Sequence, residues 1–428
     1  MKIGIIGAGL TGLTAAYELS KKGHDVIVFE KENIPGGFAS GFKNSHWEWQ
    51  LERYYHHCFT NDNSILELAK EINFNFLRIR PKTATFINRK IYQLDSPVTL
   101  LKFPLLNPLQ RLRMGISLAL LRYNPFWKLT ESKKASEILP KLMGKKGYEL
   151  IWEPLFKNKF STFKRQISLV WFWARVKKRT TELTYPEGGF QKFIEKLTEA
   201  IKKKNGLIFL NNEVVKIKEN EKIFITTKTK NGELNNHQFD KIIFTLPSKL
   251  FIKINPSTPK TYREKLLKFK YLCVHNLVLR LKEPFLKNDT YWLNICDEKS
   301  PVTGVVEHTN FIDKKYYKNE HIIYLLNYLE KTDKRYKMDA CELVNFYDSF
   351  LTKINKNYKK NIIGIKLFKD DFAQTIISTN YSKNILPFTT PFKNIYLANS
   401  SQVYPWDRGT NYAVELGKKI AKFVNKKG

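Results

Sequence analysis

Lys2-Ile3-Gly4-Ile5-Ile6 runs directly into Gly7-Ala8-Gly9-Leu10-Thr11-Gly12, and the next apolar run, Val26-Ile27-Val28-Phe29, closes on Glu30. An amphipathic stretch from Leu13 to Lys22 lies between them, with Gly23 placed as a helix C-terminal cap. A glycine pattern alone is weak evidence, but a preceding strand, a following helix and an acid about 20 residues on make it a nucleotide-binding βαβ unit. Gly7 permits the tight turn, Gly9 lets backbone amides approach a pyrophosphate, and Gly12 lets helix and strand pack closely. Glu30 is suited to accept from ribose hydroxyls, so the unit predicts a dinucleotide with a free ribose 2′-OH.

The rest of the chain has room for a second function-bearing part. Its 428 residues allow two or three domains, and 14% aromatic residues predict a packed core. The net charge of +33 comes from lysines spread along the whole length, without a zinc-finger, homeodomain or RNP pattern, so specific nucleic-acid binding is not expected. Cys58, Cys273, Cys296 and Cys341 form no CxxC pair and have no histidine at ligand spacing, which predicts no metal site and reduced thiols in a cytoplasmic protein. The first apolar residues belong to the βαβ unit rather than to a signal peptide, and no apolar run is long enough to span a bilayer.

Past Glu30, Pro35-Gly36-Gly37-Phe38-Ala39-Ser40-Gly41 is a stretch of small residues that can lie against a ligand. It leads into a segment dense in aromatic and histidine residues: His46, Trp47, Trp49, Tyr54, Tyr55, His56, His57 and Phe59. A helix near Ser64 to Ile72, a hairpin turning at Asn88-Arg89-Lys90, and a mostly helical stretch from Ser96 to Arg179 follow. Within that stretch Leu109, Leu112, Ile116, Leu120 and Leu121 share one helical face beside Arg111, Arg113 and Arg122. The pattern predicts an ordinary core-facing helix; a cavity cap or a helix lying on a membrane surface are the competing readings. Tyr185-Pro186-Glu187-Gly188-Gly189 opens a helix buried through Phe190, Phe193, Ile194, Leu197 and Ile201, strands resume from Leu207 to Pro247, and a strand at Asn394 to Asn399 precedes a last helix from Asn411 to Val424.

The order of these motifs, GxGxxG, Glu30, Gly36-Gly37, YPEGG, NEVVKI, IIFTLP and LANSSQ…RGTNYAVELGKKIA, resembles the flavin-dependent amine oxidase, protoporphyrinogen oxidase and phytoene desaturase superfamily. LERYYHHCF, VVEHTNF and YPWDRGTNYA are similar to its bacterial and archaeal protoporphyrinogen oxidase-like members. The resemblance implies an α/β chain: a Rossmann-like FAD-binding domain interleaved with an α+β substrate domain and a helical subdomain. It implies FAD-binding parts at 1–75, 185–250 and 386–428, and substrate-domain parts at 76–184 and 251–385. FAD would have its pyrophosphate on the amides of Gly9, Leu10 and Thr11 and its adenosine ribose at Glu30 and the adjoining Lys31. Gly37, Phe38 and Ala39 would run beside the phosphates and ribityl chain, and Val214 would meet adenine. Asn399 stands where many relatives have Asp. The amides of Asn411, Tyr412 or Ala413 at a helix N-terminus would face the flavin, where the helix dipole favours negative charge. Where many amine oxidases carry Arg after the double glycine, this chain has Phe38, and no residue is assigned from the sequence to their aromatic cage or active-site Lys.

For chemistry, Arg53-Tyr54-Tyr55-His56-His57 brings a cation, phenols and imidazoles together just after the cofactor segment, and the histidines are expected to exchange protons near neutral pH. Glu307-His308 and Trp406-Asp407-Arg408 are secondary candidates. The expected activity is an FAD-dependent oxidoreductase on a hydrophobic or conjugated small molecule, in a cytoplasmic protein with peripheral membrane contact as an option. The alternative is a flavin-dependent mutase resembling UDP-galactopyranose mutase, with arginines holding a diphosphate.

Overall fold

A computed structural model describes residues 1–297 and 299–426. Strand β1 (Lys2–Ile6), helix α1 (Leu10–Ser20) and β2 (Asp25–Phe29) form the expected βαβ unit. Strands β3 (Leu207–Phe209), β4 (Lys241–Phe244) and β5 (Ile395–Leu397) join them in one parallel sheet of order β3-β2-β1-β4-β5. Four of the five residues in β1, and all four in β4, are buried, as a parallel sheet covered on both faces requires. Residues far apart in sequence thus complete one nucleotide-binding sheet. We propose that 1–75, 185–250 and 386–428 form one module and 76–184 with 251–385 the other; residues 298, 427 and 428 lie outside the described part.

The strand Leu207–Phe209 belongs to this sheet rather than to the β excursion that follows. The excursion is a separate three-stranded antiparallel sheet, Asn212–Glu219, Ile223–Thr229 and Leu234–Phe239. A second large sheet of seven strands runs in the order Ile362–Thr375, Tyr271–Leu281, His321–Leu329, Gly304–Glu307, Thr290–Ile295, Lys82–Ile87, Lys90–Gln93. The last two are joined at Asn88 and Arg89, whose φ of 51° and 61° suit a tight hairpin turn.

A helical layer packs beside this second sheet, with the helix Glu153–Phe160 against the strands His321–Leu329 and Thr290–Ile295. Helix α2 (Pro108–Tyr123) begins with an Asn107–Gln110 capping box and Pro108 in its first turn, and packs against α3 (Leu169–Lys178). The expected core face of α2 is corrected here. Met114, Ser117 and Leu121 are buried, whereas Leu109, Leu112, Ile116 and Leu120 are 78%, 53%, 52% and 64% exposed. The helix has apolar residues on two sides, periodicity cannot choose between them, and the Met114–Leu121 side is the one the neighbouring helices cover.

Candidate active site

The amides of Gly9, Leu10 and Thr11 sit at the N-terminus of α1, where first-turn N–H groups have no intrahelical partner and the dipole favours an anion. Gly36 N donates to Ala8 O at 2.8 Å, drawing the double-glycine segment alongside, and a β-carbon added at Gly37 would lie 3.3 Å from Gly9 Cα. A β-carbon at Gly9 would meet nothing within 4 Å, so open space stands over the cradle. Glu30, 8% exposed, accepts from Ala8 N at 2.9 Å and from Glu32 N at 3.0 Å. Each carboxylate oxygen keeps a further lone-pair site for a hydroxyl. The cradle therefore fits a dinucleotide pyrophosphate and ribose. Lys31 faces solvent, its side chain 67% exposed and 3.7 Å from Glu32.

Positions elsewhere differ in what they leave available. Asn212 N donates to Glu30 O, which brings the start of the Val214 strand beside the ribose end. Asn399 is wholly engaged: its amide donates to Leu246 O and Ser248 Oγ, and its oxygen accepts from Ser401 N and Oγ. It joins the ends of β4 and β5. Helix α4 (Thr410–Lys426) carries Asn411, whose Oδ1 accepts from Ile65 N, and Ala413, whose amide donates to Gly409 O at 3.0 Å. The first-turn amides of Asn411 and Tyr412 are the ones free by helix geometry. Ala39 is likewise buried, with its amide donated to Gly36 O.

Where the double-glycine segment meets the N-terminus of α4, a cavity of about 200 Å³ opens. Phe38, Tyr54, Tyr55, His56, His57, Asn411 and Tyr412 all line it, so the structure unites these predicted residues. Arg53 is not among them. Its guanidinium lies 3.9 Å from Glu32 and its buried Nε has no partner among the described residues, which sets it on the cradle side. Phe38 and Tyr54 meet ring to ring at 5.3 Å, and Tyr55 packs edge-on against Trp292 at 4.8 Å.

Of the opposite wall, sequence reasoning named Asp407 and Arg408 as secondary candidates and missed the rest. Lys159, Arg175, Lys178, Arg179 and Arg408 line the cavity against only Asp62 and Asp407. Arg175, Lys178 and Arg179 are spaced i, i+3, i+4 at the end of α3, a signal visible in the sequence but lost among 73 basic residues. Arg175 bonds Asp407 at 2.7 Å, and Arg408 contacts Gln374 and the Tyr328 hydroxyl. Lys159 Nζ lies 4.5 Å over the Tyr328 ring. Burial would raise the Asp407 carboxyl, but Lys159, Arg175 and Arg408 pull it down to about 2. Burial, aided by Arg175 and Arg408, pushes the Lys159 ammonium well below its ordinary value.

The histidines need a correction. Burial brings His56 down to about 4, despite its 2.6 Å contact with Tyr54 O, and burial with Arg179 and its neighbours brings His57 to about 3. Both imidazoles are neutral at pH 7 and neither titrates there. Glu307 and His308 are fully buried away from the cavity, with Glu307 accepting from Phe285 N and Leu286 N.

A second buried acid braces the site. Glu52, 1% exposed, accepts from Phe190 N and from the Tyr185 hydroxyl, joining the aromatic segment to the YPEGG turn; burial raises it to about 7. A folded-state pKa above the unfolded value of 4.5 means its contribution is full below about pH 4.5 and is lost as pH rises through 7. Glu52→Gln should therefore become progressively more stable relative to wild type between pH 5 and pH 8, measured by denaturant midpoints. Parallel curves would reject the assignment.

Comparison with known proteins gives a consistent outline. The family described as flavin containing amine oxidoreductase matches residues 10–424. Zeta-carotene desaturase of Solanum lycopersicum is 31% identical over 123 residues, 27% of this chain but only 19% of the desaturase, so the match spans about a fifth of that relative's length. Among solved structures, an oxidoreductase from Methanosarcina mazei superposes with a TM-score of 0.77 at 18% identity, covering 99% of this chain and 100% of the other. Reduced UDP-galactopyranose mutase gives 0.76 at 16% identity, covering 100% and 96%. Both show the same fold.

Proposed function

Because the chain belongs to the flavin containing amine oxidoreductase family, with FAD as its cofactor, we propose that it is an oxidoreductase moving hydrogen on a molecule that joins an apolar or conjugated body to an acidic group. The observation that carries this reading is the cavity itself, aromatic on the wall next to the glycine cradle and cationic on the wall opposite. A protonated amine would face five basic side chains and two carboxylates there, and like-charge juxtaposition disfavours it by several kcal/mol.

The cradle residues fit the group. Gly9, Leu10 and Thr11 would hold the pyrophosphate, Glu30 the adenosine ribose, Gly37 and Phe38 the middle of the molecule, and Asn411 and Tyr412 the flavin edge. Arg53, beside Glu32, would add charge on the cofactor side where Phe38 replaces the usual Arg. When bound, FAD supplies a hydride acceptor or donor. Tyr54, Tyr55 and Trp292 would orient a flat apolar body and exclude water. Arg175 and Arg179 would hold the acidic group by charge-assisted hydrogen bonds. Lys159, with its ammonium destabilised, is the group suited to hold or release a proton at Nζ.

Anaerobic mixing of the purified flavoprotein with metabolite fractions tests this by loss of flavin colour. Bleaching by acidic, lipid-soluble fractions is expected; bleaching by amines alone would overturn it. Arg179→Met should raise the half-saturating concentration of an active fraction about tenfold or more at unchanged flavin content, from loss of a charge-assisted bond of roughly 1.5–3 kcal/mol. The same cations favour one second reading, a mutase acting on a sugar nucleotide. Conversion of a sugar nucleotide by the reduced protein without net flavin oxidation would select it.

A further inference from the structure

We propose that the outer face of the helical layer, centred on α2, docks on an anionic lipid surface. Sixteen large apolar side chains are exposed among the described residues, and nine of them fall between residues 98 and 129: Val98 and Leu101, then Leu109, Leu112, Ile116, Leu120 and Tyr123 along α2, then Phe126 and Leu129. Leu109 and Leu129 are 78% and 79% exposed. The five on α2 recur at i+3 and i+4, so they form one stripe along a helix about 24 Å long at roughly 1.5 Å per residue. Scattered exposed leucines are ordinary on a protein surface, but a continuous stripe of this kind marks an interaction face.

Charge chooses the occupant. From Ser96 to Thr130 there is no Asp or Glu, while Lys102, Arg111, Arg113, Arg122 and Lys128 are all basic. The arginines donate to main-chain carbonyls: Arg111 to Leu106 O and Leu101 O, Arg113 to Leu142 O, and Arg122 to Val176 O and Arg179 O. These bonds fix the guanidiniums without neutralising them. A second copy docking face to face would bring the same cations together, in a chain of net charge +33. An anionic bilayer answers both features: the stripe enters the headgroup and acyl boundary, and each cation near the surface adds attraction. No helix among the described residues is long and apolar enough to cross a membrane, so α2 would lie in the plane of the surface.

This surface is also tied to the cavity. The Arg122 side chain of α2 bonds the carbonyls of Val176 and Arg179 at the end of α3, the helix that presents Arg175, Lys178 and Arg179 inward. Docking by α2 would hold the cationic wall at a fixed height above the lipid.

The test is sedimentation of the intact flavoprotein with phosphatidylcholine vesicles, with and without phosphatidylglycerol. Wild type should bind the anionic vesicles, and Leu112→Ser/Ile116→Ser/Leu120→Ser should bind at least tenfold more weakly with the same flavin content and melting temperature. All three positions are exposed, so the variant should fold. Equal binding by the variant would mean charge alone is at work and would overturn the docking face. Absence of wild-type binding would overturn it, as would a solution dimer dispersed by the triple variant, which would make the stripe a self-association surface.

Discussion

Gly12→Ala and Gly9→Ala should both purify with little or no FAD, for different reasons. A β-carbon at residue 12 would lie 2.0 Å from the Gly7 carbonyl oxygen, and Gly7, at a φ of +103°, holds a conformation other residues rarely adopt. The start of α1 must move off β1, carrying the amides of Gly9, Leu10 and Thr11 with it. Overpacking of this kind costs about 1–3 kcal/mol, so Gly12→Ala should lose thermal stability together with roughly 5- to 150-fold in flavin affinity. At residue 9 the new methyl meets no protein atom within 4 Å and projects into the space left for the pyrophosphate. Gly9→Ala should keep its melting temperature in the apo form and still fail to hold flavin. Flavin-to-protein absorbance ratios, with apoprotein melting curves beside them, separate the two; full flavin content in Gly9→Ala would sink the cradle assignment.

Asp407→Asn should be the most destabilising single change in the cavity. Asp407 is the carboxylate set against Arg175, Arg408 and Lys159, and it also accepts from the Arg408 backbone at 3.0 Å and from Gln374 at 3.3 Å. Removing one partner of a buried ionic cluster leaves uncompensated charge and costs roughly 3–5 kcal/mol. Arg175 retains 44% of its side-chain exposure, which lowers the expectation to about 2–3 kcal/mol. The pH dependence follows from the direction of the shift. A folded-state pKa near 2, below the unfolded 3.8, gives stability that is complete above about pH 4 and lost as pH falls through 2. Wild type should lose its advantage over Asp407→Asn across that acid window, read from denaturant midpoints. An advantage unchanged from pH 7 to pH 2.5 would show the carboxylate is not held by the cations.

What the sequence revealed and what it hid follow a physical line. The βαβ unit is local: its strand, turn, helix and acid lie within 30 residues, and each glycine answers a backbone requirement that residue type exposes. The aromatic segment from Tyr54 to His57 was also visible, because unusual residues cluster in one short stretch. Arg53 looked like part of the same group, yet its guanidinium turns back toward Glu32, and a run of residue types does not say which way each side chain points. Lys159, Arg175 and Arg179 could not be singled out, and Asp407-Arg408 stood only as a secondary candidate, because only folding brings these distant segments to one cavity. The histidines were misjudged in charge rather than in place, since burial is a property of the surroundings. The face of α2 was read inward because periodicity reports that a face is apolar and says nothing about what covers it.

The two last pieces of the nucleotide-binding sheet, β5 and α4, have a consequence for how the protein is made. Gly417 of α4 packs so closely on α1 that a β-carbon there would lie 2.6 Å from the Thr11 carbonyl. The cradle residues near the start of the chain therefore wait for a wall near residue 417. At roughly 5–20 residues per second, synthesis exposes that incomplete edge on the ribosome for tens of seconds. Capture of flavin then has to follow emergence of the segment around Gly417, long after the cradle itself has been made.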